Sequence, residues 1–318
     1  MPTARSSSTR AQVAKAQARV LTWFDAHGRH FPWRQTRDPY RTMVAEVMLQ
    51  QTQTGRVAPS YEAFLLRFPT LERLAHAPAM QVIQAWRGLG YNRRAVDLHR
   101  AAQTLARDHG GVYPSSVAAL RRLPGLGEYT SSAIACFAFD AQVPVVDTNV
   151  RRVLSRSVVG RDPAEVDTAR VSRLAAEWLP DGDAYRWNQA LMDVGAMVCR
   201  STKPLCTKCP LKASCVYHAK GRHQMPAAPR LRVSERFEGS RRQARGAIVD
   251  HLRRAARKGI TVGELARKMD PHGNAGDAAR LAEILTKLES EGLAELSPAA
   301  REGSARGVVR LPGKRRKR

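Results

Sequence analysis

Leu123-Pro124-Gly125-Leu126-Gly127 runs directly into Glu128-Tyr129-Thr130-Ser131-Ser132-Ala133-Ile134, and Asp147 follows Tyr129 by 18 residues, within Val146-Asp147-Thr148-Asn149-Val150. Two glycines around a leucine let the backbone turn tightly at the head of a helix, where bare N–H groups gather and attract an anion. Taken alone, such a Gly-x-Gly is an ordinary turn between helices. Here helical patterns lie on both sides of it, which reads as a hairpin. Asp147 sits after the apolar run Val143-Pro144-Val145-Val146, so it is either a helix cap or a functional acid. The local pattern favours the cap, because Asn149-Val150-Arg151-Arg152 opens a helix.

Outward from this hairpin, the helical period dominates from Gln12 to about Cys215. It begins with Val13, Ala16, Val20 and Phe24, and alternating β-branched runs are scarce. Residues 11–218 are therefore expected to form one nearly all-helical domain. Residues 1–10, rich in Ser, Thr and Arg, read as a disordered basic arm. Residues 219–240, with Pro226, Pro229 and no periodicity, read as a linker. A second unit over 241–312 follows. Its first helix spans Arg241–Lys258. Its second opens at Leu265 after the capping-box form Thr261-Val262-Gly263-Glu264, and its third covers Asp277–Gly292. A hairpin pairing 293–296 with 308–311 completes a winged-helix-like pattern, and 313–318 is a basic tail.

Charge narrows the partner. Lys and Arg number 53 against 28 Asp and Glu, a net of +25 in 318 residues, and both halves of the chain share the excess. That is more than solubility needs, and it suits a polyanion whose counterions are released on binding. No stretch is apolar enough for a membrane span, and the first ten residues have no apolar core of a secretory signal. These features predict a nucleic-acid partner, and the protein is expected to be monomeric, cytoplasmic and nucleoid-associated in a bacterium, acting on double-stranded DNA.

Cys199, Cys206, Cys209 and Cys215 fall within 17 residues. Four thiolates so close can wrap one polyhedral centre, a [4Fe–4S] cluster or zinc. The fifth cysteine, Cys136, lies in an apolar helical run and reads as core. Upstream, Arg41 to about Gln53 reads as a helix that places Met43, Glu46, Val47 and Gln50 on one face. A lone glutamate there is more often at a surface edge. Buried among those neighbours, it would suit proton delivery near neutrality. Together with Asp147 it would supply the two carboxylates that glycoside cleavage uses.

The cysteine spacing, the hairpin and the aspartate resemble the endonuclease III and adenine-glycosylase (MutY-type) superfamily over about residues 20–220. Phe31-Pro32-Trp33-Arg34 and Ala45-Glu46-Val47-Met48-Leu49-Gln50-Gln51-Thr52-Gln53 are similar to the adenine branch. The resemblance implies a mainly α, two-lobed helix–hairpin–helix DNA glycosylase with a [4Fe–4S] loop on Cys199, Cys206, Cys209 and Cys215. It reverses the preference at Asp147, which would stabilise the oxocarbenium ion with support from Asn149. Glu46 would protonate the purine and then activate water. Arg34 and Gln189 would read the base edge, Tyr129 would line the pocket, and Gln51 and Tyr91 would wedge into the stack. Trp33, Leu49 and Thr52 would adjoin the pocket, and Gly125 and Gly127 would grip the DNA backbone.

Relatives that also nick the strand carry lysine where this chain has Tyr129, so hydrolysis without β-elimination is expected. Two departures stand out. Thr148 occupies the place where the adenine branch most often has glycine, and the winged-helix-like unit replaces a β-rich nudix-like domain. The reading is a monofunctional base-excision glycosylase for adenine opposite 8-oxoguanine or guanine. Its rivals are a thymine/uracil mismatch glycosylase, an endonuclease III-like pyrimidine glycosylase/lyase and, outside the class, a cluster-bearing winged-helix regulator.

Overall fold

The computed structural model describes residues 7–224, 237–255, 257–270 and 277–313. In chain order the helices are α1 (Ser7–His27), α2 (Pro39–Leu49), α3 (Thr54–Arg67), α4 (Leu71–His76), α5 (Ala79–Ala85), α6 (Arg93–Asp108), α7 (Val117–Leu120) and α8 (Glu128–Phe139). Then come α9 (Thr148–Leu154), α10 (Thr168–Glu177), α11 (Ala184–Asp193), α12 (Val216–Ala219), α13 (Arg241–Ala255), α14 (Val262–Met269), α15 (Asp277–Ser290) and α16 (Pro298–Arg301). No helix of the described residues is long and apolar enough to cross a membrane.

The chain divides into two compact units. The first holds Met1–Thr42, Pro114–Arg121 and Leu126–Leu231, and the second Met43–Tyr113, Arg122–Gly125 and Arg232–Arg318. In the first unit, α1 lays Ala16 and Val20 into a core shared with Cys136 and Phe137 of α8, Val150 and Val153 of α9, Val171 of α10, and Trp187 and Leu191 of α11. Helix α9 widens into a π-type turn over Ser155–Val159, and α11 does the same over Val194–Val198. Such turns re-aim side chains and recur at functional sites.

In the second unit, α6 buries Ala95, Leu98, Ala101, Ala102 and Leu105. Residues from 237 onward belong to this same unit, although the sequence predicted a separate domain beyond a linker. The cause is apolar: Ile83 of α5 and Val96 of α6 join the core built by Ile248, Val249 and Leu252 of α13 with Leu265, Ile284, Leu285 and Leu288. Three strands, β1 (Ile260–Thr261), β2 (Glu295–Leu296) and β3 (Val308–Arg310), form an antiparallel sheet in the order β1-β3-β2.

Several expectations need correcting. The wing is three-stranded, because β1 pairs with β3 beside Gly259. At φ +73 that glycine approaches so closely that a Cβ would stand 2.7 Å from the Val309 carbonyl oxygen. Thr261 accepts from the Glu264 N–H, so the second helix opens at Val262, and the first ends at Ala255. The loop between the two hairpin strands holds α16, capped by Ser297. Helix α1 already begins at Ser7, inside the arm expected to be disordered. Residues 1–6, most of the linker (225–236) and the basic tail from 314 lie outside the described residues.

Candidate active site

In the first unit, Asp147 is the N-cap of α9. Its Oδ1 accepts from the Val150 N–H at 2.7 Å, and its Oδ2 accepts from Asn149 Nδ2 at 2.7 Å. Burial pushes the Asp147 carboxyl above its ordinary value, and these donors and the Arg152 charge pull back only part of the way. Asn149 Oδ1 accepts in turn from Arg152 Nη2 at 2.8 Å. Arg152 also donates to the carbonyls of Gly195 (2.7 Å) and Cys199 (2.6 Å). The close approach of Asn149 requires glycine at 195, where a Cβ would lie 2.5 Å from Asn149 Cβ.

A second acid, the fully buried Asp193, ends α11. Arg34 grips it with both Nη atoms at 2.8 and 2.9 Å, and Arg29 adds its backbone N–H and Nε at 2.8 Å each. Burial alone would raise this carboxyl, but the hydrogen bonds and charge of Arg34, then those of Arg29, bring it below the ordinary range. Arg34 therefore has another occupation than the base edge assigned to it from sequence. Its Nη1 also donates to the Arg29 carbonyl at 2.7 Å. Trp33 is buried and stacks on Phe31 at 4.8 Å. Gln189 is buried on α11, and Tyr129 is half-buried in the first turn of α8, which Gly127 caps in extended backbone.

Cys199, Cys206, Cys209 and Cys215 line one cavity together with Arg156, Lys212 and His218, and none is in a disulfide. Burial pushes the Cys209 thiol up to about 12 and raises Cys206 and Cys215, with neighbouring thiolates opposing each further ionisation. Thiols arranged this way become thiolates together only around a cationic centre. Arg156 fastens the loop by donating to the carbonyls of Arg200 (2.7 Å) and Ser201 (3.1 Å), and its Nη1 lies 4.0 Å from Cys199 Sγ.

In the second unit, Glu46 is buried, 4% exposed, among Met43, Val44, Val47 and Met48 of α2. The helix expected to reach Gln53 ends at Leu49, because Gln51 turns left-handed at φ 55. Tyr91 is left-handed too, at φ 44, and is 45% exposed. Arg94 ties the two turns together. Its Nη1 donates to the carbonyls of Val47, Met48 and Gln50, while Nη2 donates to Thr52 Oγ1 and the carbonyls of Leu89 and Gly90. It thereby satisfies the open C-terminal carbonyls of α2. Burial lowers its guanidinium to about 10, with Tyr91 acting in the opposite direction. Gly125 sits at φ +75, where a Cβ would meet Asp97 Cβ at 2.7 Å, and its carbonyl accepts from Gln50 Nε2 at 3.4 Å.

The pattern of the HhH-GPD superfamily base excision DNA repair proteins matches residues 44–180. An adenine DNA glycosylase of Mycolicibacterium smegmatis is 42% identical over 235 residues, covering 74% of this chain and 79% of that one. The chain belongs to the adenine DNA glycosylase family. A Mycobacterium tuberculosis member is 41% identical over 251 residues, covering 77% of this chain and 81% of that one. Among solved structures, a thermostable thymine-DNA glycosylase superposes with a TM-score of 0.63 at 31% identity, over 67% of this chain and 99% of its own. An endonuclease III–DNA complex, at 21% identity and TM-score 0.58 over 68% and 98%, shares the fold.

Set in this adenine DNA glycosylase, the structure brings Asp147 together with Asn149, and Gln51 and Thr52 together with the Tyr91 turn. Glu46 and Asp147 belong to different compact units. Sequence reasoning missed Arg94, Arg152, Arg156 and Asp193. Arg152 and Arg156 stand one helical turn apart after Asp147, which was a usable signal. Asp193 carried none, because its arginine partners are remote in the chain, and for Arg94 only Leu89 and Gly90 are near while its partners at the end of α2 are remote.

Proposed function

We propose that this protein is a monofunctional glycosylase of base-excision repair that hydrolyses the N-glycosidic bond of adenine mispaired with 8-oxoguanine or guanine. The observation carrying the reading is Asp147. It is a half-buried carboxylate held by neutral donors, with its negative charge not spent on a directly bonded cation. Such a group stabilises positive charge that appears on the sugar only as the base leaves. Glu46, buried on α2, delivers the proton to the departing purine and then takes one from water. Tyr129 offers no amine, so the product remains an abasic site.

Gln189, with Trp33, Leu49 and Thr52, borders the extruded adenine, while Arg34 sets the Phe31–Arg34 turn through Asp193. Gln51 and Tyr91 fill the gap left in the stack. Gly125 and Gly127 present backbone to a phosphate. No group of three or more His, Cys, Asp or Glu among the described residues is set for a single ion. Four thiols around one cavity suit the larger [4Fe–4S] centre, which would cross-link the loop that Arg152 and Arg156 fasten. The three-helix unit with its three-stranded wing would supply backbone contacts to DNA.

The test incubates the protein with duplexes holding a single A:8-oxoguanine, A:G, T:G, U:G or oxidised pyrimidine, and scores the products before and after alkali. Alkali-dependent breaks confined to adenine are expected. Breaks at thymine or uracil, or breaks without alkali, overturn the reading.

A further inference from the structure

Tyr91 is an aromatic in the open on a left-handed backbone, a conformation that costs roughly 1–3 kcal/mol and persists only where neighbours over-determine it. Arg94 holds the turn from inside, through Leu89 and Gly90. The C-terminal region holds it from the other side. Arg253 of α13, only 8% exposed, donates from Nε (3.0 Å) and Nη2 (2.9 Å) to the Ile83 carbonyl and from Nη2 to Asn92 Oδ1 at 2.9 Å. Asn92 is the residue after Tyr91. Asp250 holds Arg253 Nη1 at 2.6 Å, and Arg242 of the same helix reaches the Tyr91 hydroxyl at 3.5 Å.

Helix α13 is itself fixed in place. It shares a core with Ile83 and Val96, and the Met80 N–H donates to the Pro312 carbonyl at 3.0 Å. Gly292, at φ +77, lies against α6 so closely that a Cβ would stand 3.0 Å from Arg100 Nη2 and 3.3 Å from Val96 Cγ1. A region serving only as a charged surface would leave its arginines in solvent. Arg253 is instead buried, and its rigid planar fork spans three acceptors, Ile83, Asn92 and Asp250, a fixed spread that the compact ammonium of lysine does not reproduce.

We propose that Arg253 is a positioning residue for the Tyr91 turn, so that the C-terminal region sets the aromatic that enters the base stack. This rests on the reading of Tyr91 as the wedge. In this arrangement base extrusion depends on α13, while non-specific affinity depends on exposed bases such as Arg254 of the same helix.

The experiment uses the full chain and a duplex with 2-aminopurine at the target position opposite 8-oxoguanine. The fluorescence rise at saturating protein, read on mixing and before any alkali-labile product forms, reports unstacking. Arg253→Ala should cut the rise by about tenfold, the scale of one or two lost hydrogen bonds. Affinity for an unmodified duplex should stay within about twofold, because no phosphate contact is removed. Arg253→Lys should restore less than half of the rise. Arg254→Ala should do the reverse, weakening all duplexes alike and leaving the rise intact.

Asn92→Ala removes the acceptor from the other side and should repeat the Arg253→Ala loss, which decides the matter if Arg253→Ala fails to fold. An unchanged rise in Asn92→Ala or in folded Arg253→Ala overturns the proposal. So does a fall in rise and unmodified-duplex affinity by the same factor, full rescue by lysine, or a wild-type protein that gives no rise.

Discussion

Asp193 is fully buried and Asp147 half-buried, both in the first unit, and their surroundings drive these carboxyls in opposite directions. Asp193 meets two guanidinium groups, and their hydrogen bonds and charge outweigh its burial. Asp147 meets an amide and a backbone N–H, while Arg152 acts on it through Asn149, and there burial prevails. Depth therefore does not decide the state of a carboxylate; the charge of its partners does. An acid neutralised by cations holds the fold together. One held by neutral dipoles keeps its field for a cation that forms during the reaction.

The comparison is broken most directly at Asp193. Asp193→Asn leaves Arg29 and Arg34 facing a neutral amide and should cost about 3–5 kcal/mol of stability, read by urea unfolding. A loss under about 1 kcal/mol would show that water already shares the pair. Asp147→Asn should separate the two effects the other way. Asparagine caps a helix as well as aspartate does, so unfolding should show no loss of stability. Single-turnover excision should fall by about 2.7–4 kcal/mol, a factor of roughly a hundred to a thousand. Near-normal turnover would remove Asp147 from the chemistry.

The pH dependence sharpens the contrast. The folded-state value of Asp193 is depressed, so its stabilisation is present above the ordinary aspartate range and is lost as pH falls through the depressed value. Asp147 is raised, so its cost to stability is absent at low pH and appears as pH rises through the raised value. Asp193→Asn should therefore flatten the acid limb of unfolding free energy below about pH 4. Asp147→Asn should gain stability relative to wild type above the same point. Excision needs ionised Asp147, so its acid limb should lie above the ordinary aspartate value. The smallest effect is expected from Asn149→Ala. Removing a donor to the ionised form should move that limb further up and slow excision by about tenfold, read from rate–pH profiles.

Much of the site was legible because it is local. The hairpin glycines, the Asp147-Thr148-Asn149 run and the four cysteines each fall within a short stretch of chain, so spacing carries the information. The end of α2 was misread for the opposite reason. The residues after Leu49 have no breaker among them, and Arg94, more than forty residues on, takes the carbonyls that would have continued the helix. Arg34 was placed at the base edge because nothing nearby in the chain shows that it faces Asp193.

From the sequence alone came the helical class, the hairpin, the family, the spacing of the four cysteines and the candidacy of Glu46 and Asp147, but not Asp193. Each depends on periodicity or on residues held close by the backbone. Only the tertiary structure decided which acid is neutralised, where α2 stops, and that α13 packs against the Tyr91 turn. Those outcomes depend on guanidinium groups reaching acceptors 159 residues away in Arg34–Asp193 and 161 in Arg253–Asn92. Burial strengthens such pairings and long-range packing selects them, so no local pattern of residues can encode them.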